Sequence, residues 1–408
     1  MEVWALSEIK SSDRMELSPD ELESIRAPID TALTLPARAY TSQAFFSQEV
    51  ERIFEHHWMA LAFEATLPSP GDMRPIELFG RALVLVRGDD GELRVFHNIC
   101  PYDGCLVVRE EMSGASMMEV YYHGWRYDLR GRLLAAPYWD GTASANVASL
   151  REGKGDLVEV RSQCRLGVVF VDLGHSAGSL EDHLAPLLRL LDAYDLEQAV
   201  QVEDEKTNLA RQGRTVNGNW KTYLENAAIN ILHEGFTHQA YRRSPEIPRV
   251  RDGKPTFFTV RDGPLLAFGF DMADVARTYD AGGGTPHLGR SHPPTQGFFA
   301  TLYPNLAMPI RVNMFRLGIC LPVRPDHTRI LQCGSFHPDA LSHPDFAAYH
   351  AGLEARYAKV YAEDRVAIES VQKGRHSPVF QRHFYAPLWD ELHYGLNNLV
   401  AADMATTA

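Results

Sequence analysis

The chain of 408 residues is expected to fold as an α+β protein with two strand-rich blocks. Three features lead to this. Residues 59–172 break into short runs of strand texture separated by turn signals. Residues 255–335 do so again. Helical patterns precede both blocks, and an alanine-rich amphipathic stretch, 343–374, follows the second. The length suffices for two or three domains, and a composition of 45% hydrophobic and 23% charged residues is ordinary for a globular chain.

Charge and composition exclude several classes. The formal net charge is −13, with no block of five or six basic residues, so neither nucleic acid nor an anionic membrane is an expected partner. No apolar run approaches the roughly 20 residues needed to span a bilayer. The start, MEVWALSEIKSSDRMELSPDELESIR, carries acids where a signal peptide needs a cationic start and an apolar middle. A soluble, cytoplasmic protein is expected. The five cysteines (Cys100, Cys105, Cys164, Cys320, Cys333) form no disulfide scaffold, and their odd number fits a reducing compartment.

The elements follow in order. Residues 19–35 begin as a helix, with Ser18 as N-cap and acids in the first turn. Residues 42–58 repeat Phe45, Val50, Ile53 and Phe54 at helical spacing. RALVLVRGDDGELRVFHNIC reads strand, Gly-Asp-Asp-Gly turn, strand. RYDLRGRLLAAP and LVEVRSQCRLGVVFVDL continue this antiparallel block. Residues 180–196 return to helix, and NWKTYLENAAINILHEGFTHQAY is helical as far as Gly235. The segment DAGGGTPHLGRSHPPTQG is a long loop, either a pocket lid or a tolerated insertion. In the last helix the alanines favour helix and Gly374 stands where it would end.

The chemistry centres on His233 and His238. Five residues on an ideal helix turn through about 500°, so the two side chains diverge by roughly 140°. They converge only if the helix bends between them, and Gly235 permits a bend there. With one carboxylate they would make the two-His-one-carboxylate face that holds Fe(II) and leaves positions open. Asp364, in AEDRVAIESVQKG, is the candidate, with Glu363 beside it. Taken alone, the histidine pair reads more readily as two surface or pocket-lining side chains among the 17 histidines.

Four segments together carry a resemblance: FFSQEVERIFEHHWMALAFEATLPSPGDM, YHGWRYDLRGRLLAAP, NWKTYLENAAINILHEGFTH and AEDRVAIESVQKG. From about residue 43 to 390 the chain resembles the large (α) subunits of Rieske-type non-heme iron aromatic-ring oxygenases. The resemblance implies a Rieske-like antiparallel β domain over 41–172, and a helix-grip catalytic domain with a central antiparallel sheet over 173–408. An N-terminal helical segment, 1–40, would pack on the latter. It implies His233, His238 and Asp364 as ligands of a mononuclear Fe(II), with Asp364 eight residues before Gln372. It also implies trimers or hexamers.

The sequence departs from that family at three places. The family's cluster site is Cys-x-His, about 15–18 residues, then Cys-x-x-His, two thiolates holding one iron and two imidazoles the other. Here the loops read Cys100-Pro101-Tyr102 and Val120-Tyr121-Tyr122-His123. Cys100 and His123 remain, Tyr102 replaces a histidine, and Val120 replaces a cysteine. Valine cannot ligate, and a phenol with a pKa near 10 is a poor substitute for imidazole. Cys105 lies three residues beyond the usual position and on the other loop. The [2Fe–2S] cluster is therefore expected to be absent. Asn230 stands three residues before His233, where the family has an aspartate that bridges the cluster of one subunit to the iron of its neighbour. An amide bonds an imidazole but orients it less strongly than a carboxylate. All three losses belong to electron delivery, whereas the oxygen-activating triad is kept. Gly124, Trp125, Tyr127 and Gly131 would preserve the β frame for packing.

Three functions follow. The first is an oxygenase that hydroxylates or otherwise oxidises a small, apolar or aromatic substrate with O₂, in an apolar cavity lined by the central strands and Ala227–Leu232. Its electrons would come from a second α subunit with an intact cluster, a reductase or ferredoxin, another reductant, or the substrate. No glycine-rich dinucleotide loop suggests a flavin or nicotinamide within the chain. The second is a non-catalytic subunit of a heteromeric oxygenase. The third is a ligand-binding module that keeps the pocket without the chemistry.

Overall fold

Apolar strands meeting at tight turns build the smaller of two units, Trp58–Ala177. Its six-stranded antiparallel sheet has the order Met59–Phe63, Val168–Asp172, Glu159–Arg165, Leu93–His97, Arg81–Arg87, Met73–Leu78. The expected hairpin runs from Arg81–Arg87 through residues 88–92 to Leu93–His97. Leu166 and Gly167, at φ 53° and 71°, close another two-residue hairpin. Three short strands, Met118–Glu119, Arg126–Tyr127 and Leu133–Ala135, form a separate small sheet. Met73, Val84, Phe96, Cys100, Val120 and Tyr127 share one core. The computed structural model describes residues 16–143, 147, 154–203, 208–239, 241–242, 247, 249–275 and 286–405. The start of the 1–40 segment and residues 276–285 of the long loop lie outside these.

The larger unit takes in residues up to His57 and from Gly178 onward. A meander of six strands, from Phe258–Asp262 to His327–Phe336, is extended by Val200–Val202 and Arg214–Val216, which both pair with His327–Phe336. The long helix, Phe346–Arg375, packs its first half on this sheet through Phe346, Leu353 and Tyr357 against Met314 and Phe336. It continues one residue past Gly374. Among the described residues no helix is long and apolar enough to cross a membrane.

Local chemistry sets the remaining helices. Ser18 and Glu21 form a capping box for Pro19–Arg26. That helix is shorter than the pattern suggests, because Ala27 precedes a proline and takes an extended ψ of 160°. Residues 41–57, which the resemblance assigned to the β domain, fall in the larger unit. The reason is visible in Asn-Trp-Lys: Trp220 and Lys221 both donate to the buried carboxylate of Glu49. Asn219 caps its own helix and donates to the carbonyl of Pro325 at 2.7 Å.

Candidate metal centre and cluster frame

The helix that begins at Trp220 widens into a π turn over Glu225–Ile229 and ends at Asn230, where ψ turns to 97°. A single helical turn follows, Glu234–Thr237, with His233 as its N-cap and His238 as its C-cap. The bend thus lies before both histidines and not at Gly235, which sits inside the short turn. Bracketing one turn from its two ends cancels the divergence of an ideal helix and brings the imidazole centroids to 5.1 Å. Glu234 anchors this turn through a buried pair with Arg249 (3.0 Å).

Asp364, on the long helix, completes the group. Its Oδ1 lies 3.6 Å from Nε2 of His233 and 3.4 Å from Nε2 of His238. Ligand-type atoms of the three residues all fall within 4.8 Å of one another, and among the described residues no other group of three His, Cys, Asp or Glu does so. The outer ring nitrogens are held elsewhere. His233 Nδ1 bonds the carbonyl of Asn230 at 2.6 Å, and His238 Nδ1 bonds Oε2 of Glu363 at 2.9 Å. Each imidazole therefore points its Nε2 at the same carboxylate oxygen. Burial opposes charge on both His233 and Asp364, but their mutual attraction prevails: the histidine is shifted up and the aspartate down. Asp364 Oδ1 is buried and accepts no hydrogen bond from the described residues. An orphaned oxygen facing two Nε2 atoms fits a divalent iron with open positions.

Asn230 is exposed, and its side chain accepts from the backbone N–H of His233 at 3.2 Å. It therefore supports the histidine's backbone, and its carbonyl, not its amide, orients the ring. Two cavities meet at the metal group. One, about 280 Å³, is bounded by Tyr223, His233, His238 and Asp364. The other, about 610 Å³, also touches His233 and includes Asn230 and Arg375. The first offers more apolar than polar surface, as expected, but its lining also carries charge. Four arginines (214, 311, 316, 356) and five tyrosines (223, 241, 349, 357, 361) reach it, and of Ala227–Leu232 only Ala227 does. These arginines had no sequence signal, because strands 214–216 and 314–324, the turn at 311–313 and the long helix bring them together from distant positions.

The cluster frame is intact as backbone. Gly104 N–H donates to Cys100 O at 2.9 Å, and Gly124 N–H donates to Val120 O at 2.8 Å. Both glycines have positive φ, 77° and 70°, so two matched turns stand side by side in sequence logic. Their side chains do not fit a [2Fe–2S] group. Val120 is fully buried and has no donor atom. Tyr102 is 51% exposed and stacks on Trp125 at 5.4 Å. His123 Nδ1 pairs with Asp103 at 2.5 Å. Cys100 is buried with its sulfur 3.6 Å from Tyr127 Oη, and Cys105 directs its thiol to the carbonyl of Leu106. Two thiolates and two imidazoles are not on offer.

Fold and residue group together define a class, the α subunits of Rieske-type ring-hydroxylating oxygenases. The chain belongs to this family: the catalytic domain of the ring hydroxylating alpha subunit matches residues 192–406, and the Rieske [2Fe-2S] domain matches residues 57–151. The carnitine monooxygenase oxygenase subunit of Escherichia coli (strain K12) is 34% identical over 256 residues, 62% of this chain and 64% of the relative. The chain thus spans a little under two thirds of the carnitine relatives it matches. The 2-aminobenzenesulfonate 2,3-dioxygenase subunit alpha of Alcaligenes sp. is 28% identical over 72% of each chain. In fold, a quaternary ammonium Rieske monooxygenase aligns with TM-score 0.75 and 21% identity, over 96% of this chain and all of its own. Naphthalene 1,2-dioxygenase from Rhodococcus sp. gives 0.70 and 20%, over 94% and 96%.

Proposed function

We propose that the chain is an oxygenase subunit that holds one Fe(II) through His233, His238 and Asp364, carries no [2Fe–2S] cluster of its own, and takes electrons from another polypeptide. The observation that carries the iron reading is the buried Asp364 Oδ1, within 3.6 Å of both Nε2 atoms and without a hydrogen bond. Iron bound there supplies reductive activation of dioxygen beside a small organic molecule. The protein's own part is orientation. Glu363 and the carbonyl of Asn230 fix the tautomers by taking the Nδ1 protons, which leaves both Nε2 lone pairs for the metal. The cavity of about 280 Å³ binds the substrate, which would be hydroxylated or similarly oxidised.

The missing cluster rests on Tyr102 and Val120. Electrons would then come from a second α subunit with complete loops, in a trimer or hexamer, or from a reductase or ferredoxin. The larger cavity, bounded by Asn230, is the natural side for their entry. The same substitutions favour one other reading, a subunit that stabilises a cluster-bearing partner without turnover. Nitric oxide separates the two. Fe(II)-loaded protein with an open site gives the high-spin ferrous nitrosyl EPR signal, and His233→Ala and Asp364→Ala abolish it. A protein that takes up no iron, or whose iron does not bind nitric oxide, is the non-catalytic subunit.

A further inference from the structure

We propose that the cavity beside the metal group takes a small organic acid, its acid group held by Arg214 and its body laid along Tyr357 and Tyr361. This rests on that cavity being the substrate site.

The argument begins with charge. Arg316 is neutralised by Glu354, whose Oε2 accepts from Nη2 at 3.0 Å. Of the carboxylates that reach the cavity, Glu234 is committed to Arg249 and Asp364 to the histidines. Among the described residues Arg214 bonds only a neutral acceptor, donating from Nε to Oε1 of Gln332 at 3.2 Å. Among the described residues no carboxylate pairs with Arg214 or with Arg356, so the lining holds uncompensated positive charge. A guanidinium with both terminal nitrogens unengaged is the group best suited to bidentate capture of a carboxylate.

Geometry then sets the pose. Arg214 stands 4.4 Å from the centroid of Tyr361, and the rings of Tyr357 and Tyr361 stack at 5.6 Å. Asp364 is three residues beyond Tyr361, a rise of about 4.5 Å along the helix. An acid group on Arg214 therefore leaves the rest of a small molecule against the tyrosines and close to the metal group. The tyrosines alone could suggest a quaternary ammonium, since aromatic faces attract cations. Here the faces are taken: Arg214 covers Tyr361, and Arg316 lies 4.5 Å from the centroid of Tyr357 and 5.7 Å from that of Tyr361. A further cation would meet two guanidinium groups.

The test is calorimetric titration of iron-loaded and of metal-free protein with three probes: benzoate, its neutral analogue benzamide, and choline. Benzoate should bind at least about tenfold more tightly than either. Arg214→Gln should remove that preference, Arg214→Lys should keep part of it, and Arg324→Gln, an exposed arginine paired with Asp326, should not change it. Should Arg214→Gln not fold, Arg356→Gln must weaken benzoate instead. Equal binding of the probes, a preference for choline, no benzoate binding, or indifference to these variants would overturn the inference. A benzoate preference in protein that takes up no iron would uphold it and fail the iron reading, and iron uptake without the preference would do the reverse.

Discussion

Asp364 and Glu363 are neighbouring acids on one helix with different tasks. Asp364 presents Oδ1 to both Nε2 atoms, while Glu363 accepts from the far nitrogen of His238. Removing each should therefore fail differently. Asp364→Ala, like His233→Ala or His238→Ala, should reduce iron from about one per chain to near zero, measured by elemental analysis. Glu363→Gln should retain the stoichiometry at saturating iron but weaken affinity by about 10–100-fold, the usual effect of losing an outer partner of a ligand histidine. If Glu363→Ala loses iron and Asp364→Ala keeps it, the two roles are exchanged. Sequence alone left this pair open, because adjacent residues on a helix differ by about 100° and only packing shows which one faces the histidines. The two histidines were legible as a pair, but their means of convergence was not. Gly235 offered an obvious bend, whereas the chain uses a π turn and the two ends of a short helix.

At the scale of elements, the paired turns at Cys100–Gly104 and Val120–Gly124 are closed by backbone hydrogen bonds alone. Their hydrogen bonds and positive-φ glycines are properties of the backbone, independent of residues 102 and 120. The double change Tyr102→His with Val120→Cys should accordingly let the protein take up about two further irons and two sulfides per chain. Uptake of none would mean that the core around Val120 has closed against a cluster. The helix over Trp220–Leu224 and the π turn that follows are held by another buried device. Burial would raise the carboxyl of Glu225, but Arg375 and His393 outweigh it and hold it well below its ordinary 4.5. A depressed carboxylate stabilises the fold above its unfolded pKa and loses that contribution as pH falls through the folded one. Stability should thus be steady near neutrality and decline in acid below about pH 4.5. Glu225→Gln should be less stable at pH 7 by about 3–5 kcal/mol in urea unfolding and should show a shallower acid decline. An unchanged acid profile would remove Glu225 from this role. The sequence pattern revealed the Asn-Trp-Lys helix but not its partners: Glu49 and Tyr40 are more than 170 positions away and carry no periodic signal.

For the whole molecule, strand texture, turn residues and the long helix were enough to establish the α+β class and the antiparallel sheets. The arginines of the cavity were not legible, because Arg214, Arg316 and Arg356 belong to two strands and a helix far apart in sequence that only the tertiary packing brings together. Family membership rests on most of the chain, and the unusual feature is the uneven retention of parts. The group suited to iron is complete, and the positions that would hold the electron-transfer cluster are half replaced. On the proposal that the chain carries no cluster of its own, it should turn over only with a second polypeptide that carries a complete cluster or an equivalent redox group. Mixing with such a subunit should produce an assembly that sediments as one species.

The most direct measurement is the count of iron and acid-labile sulfide per chain after anaerobic purification of the unmodified protein. The expected result is about one iron, lost in His233→Ala, and no sulfide. About three irons with two sulfides would contradict the account, because the chain would then possess the cluster that Tyr102 and Val120 are held to preclude.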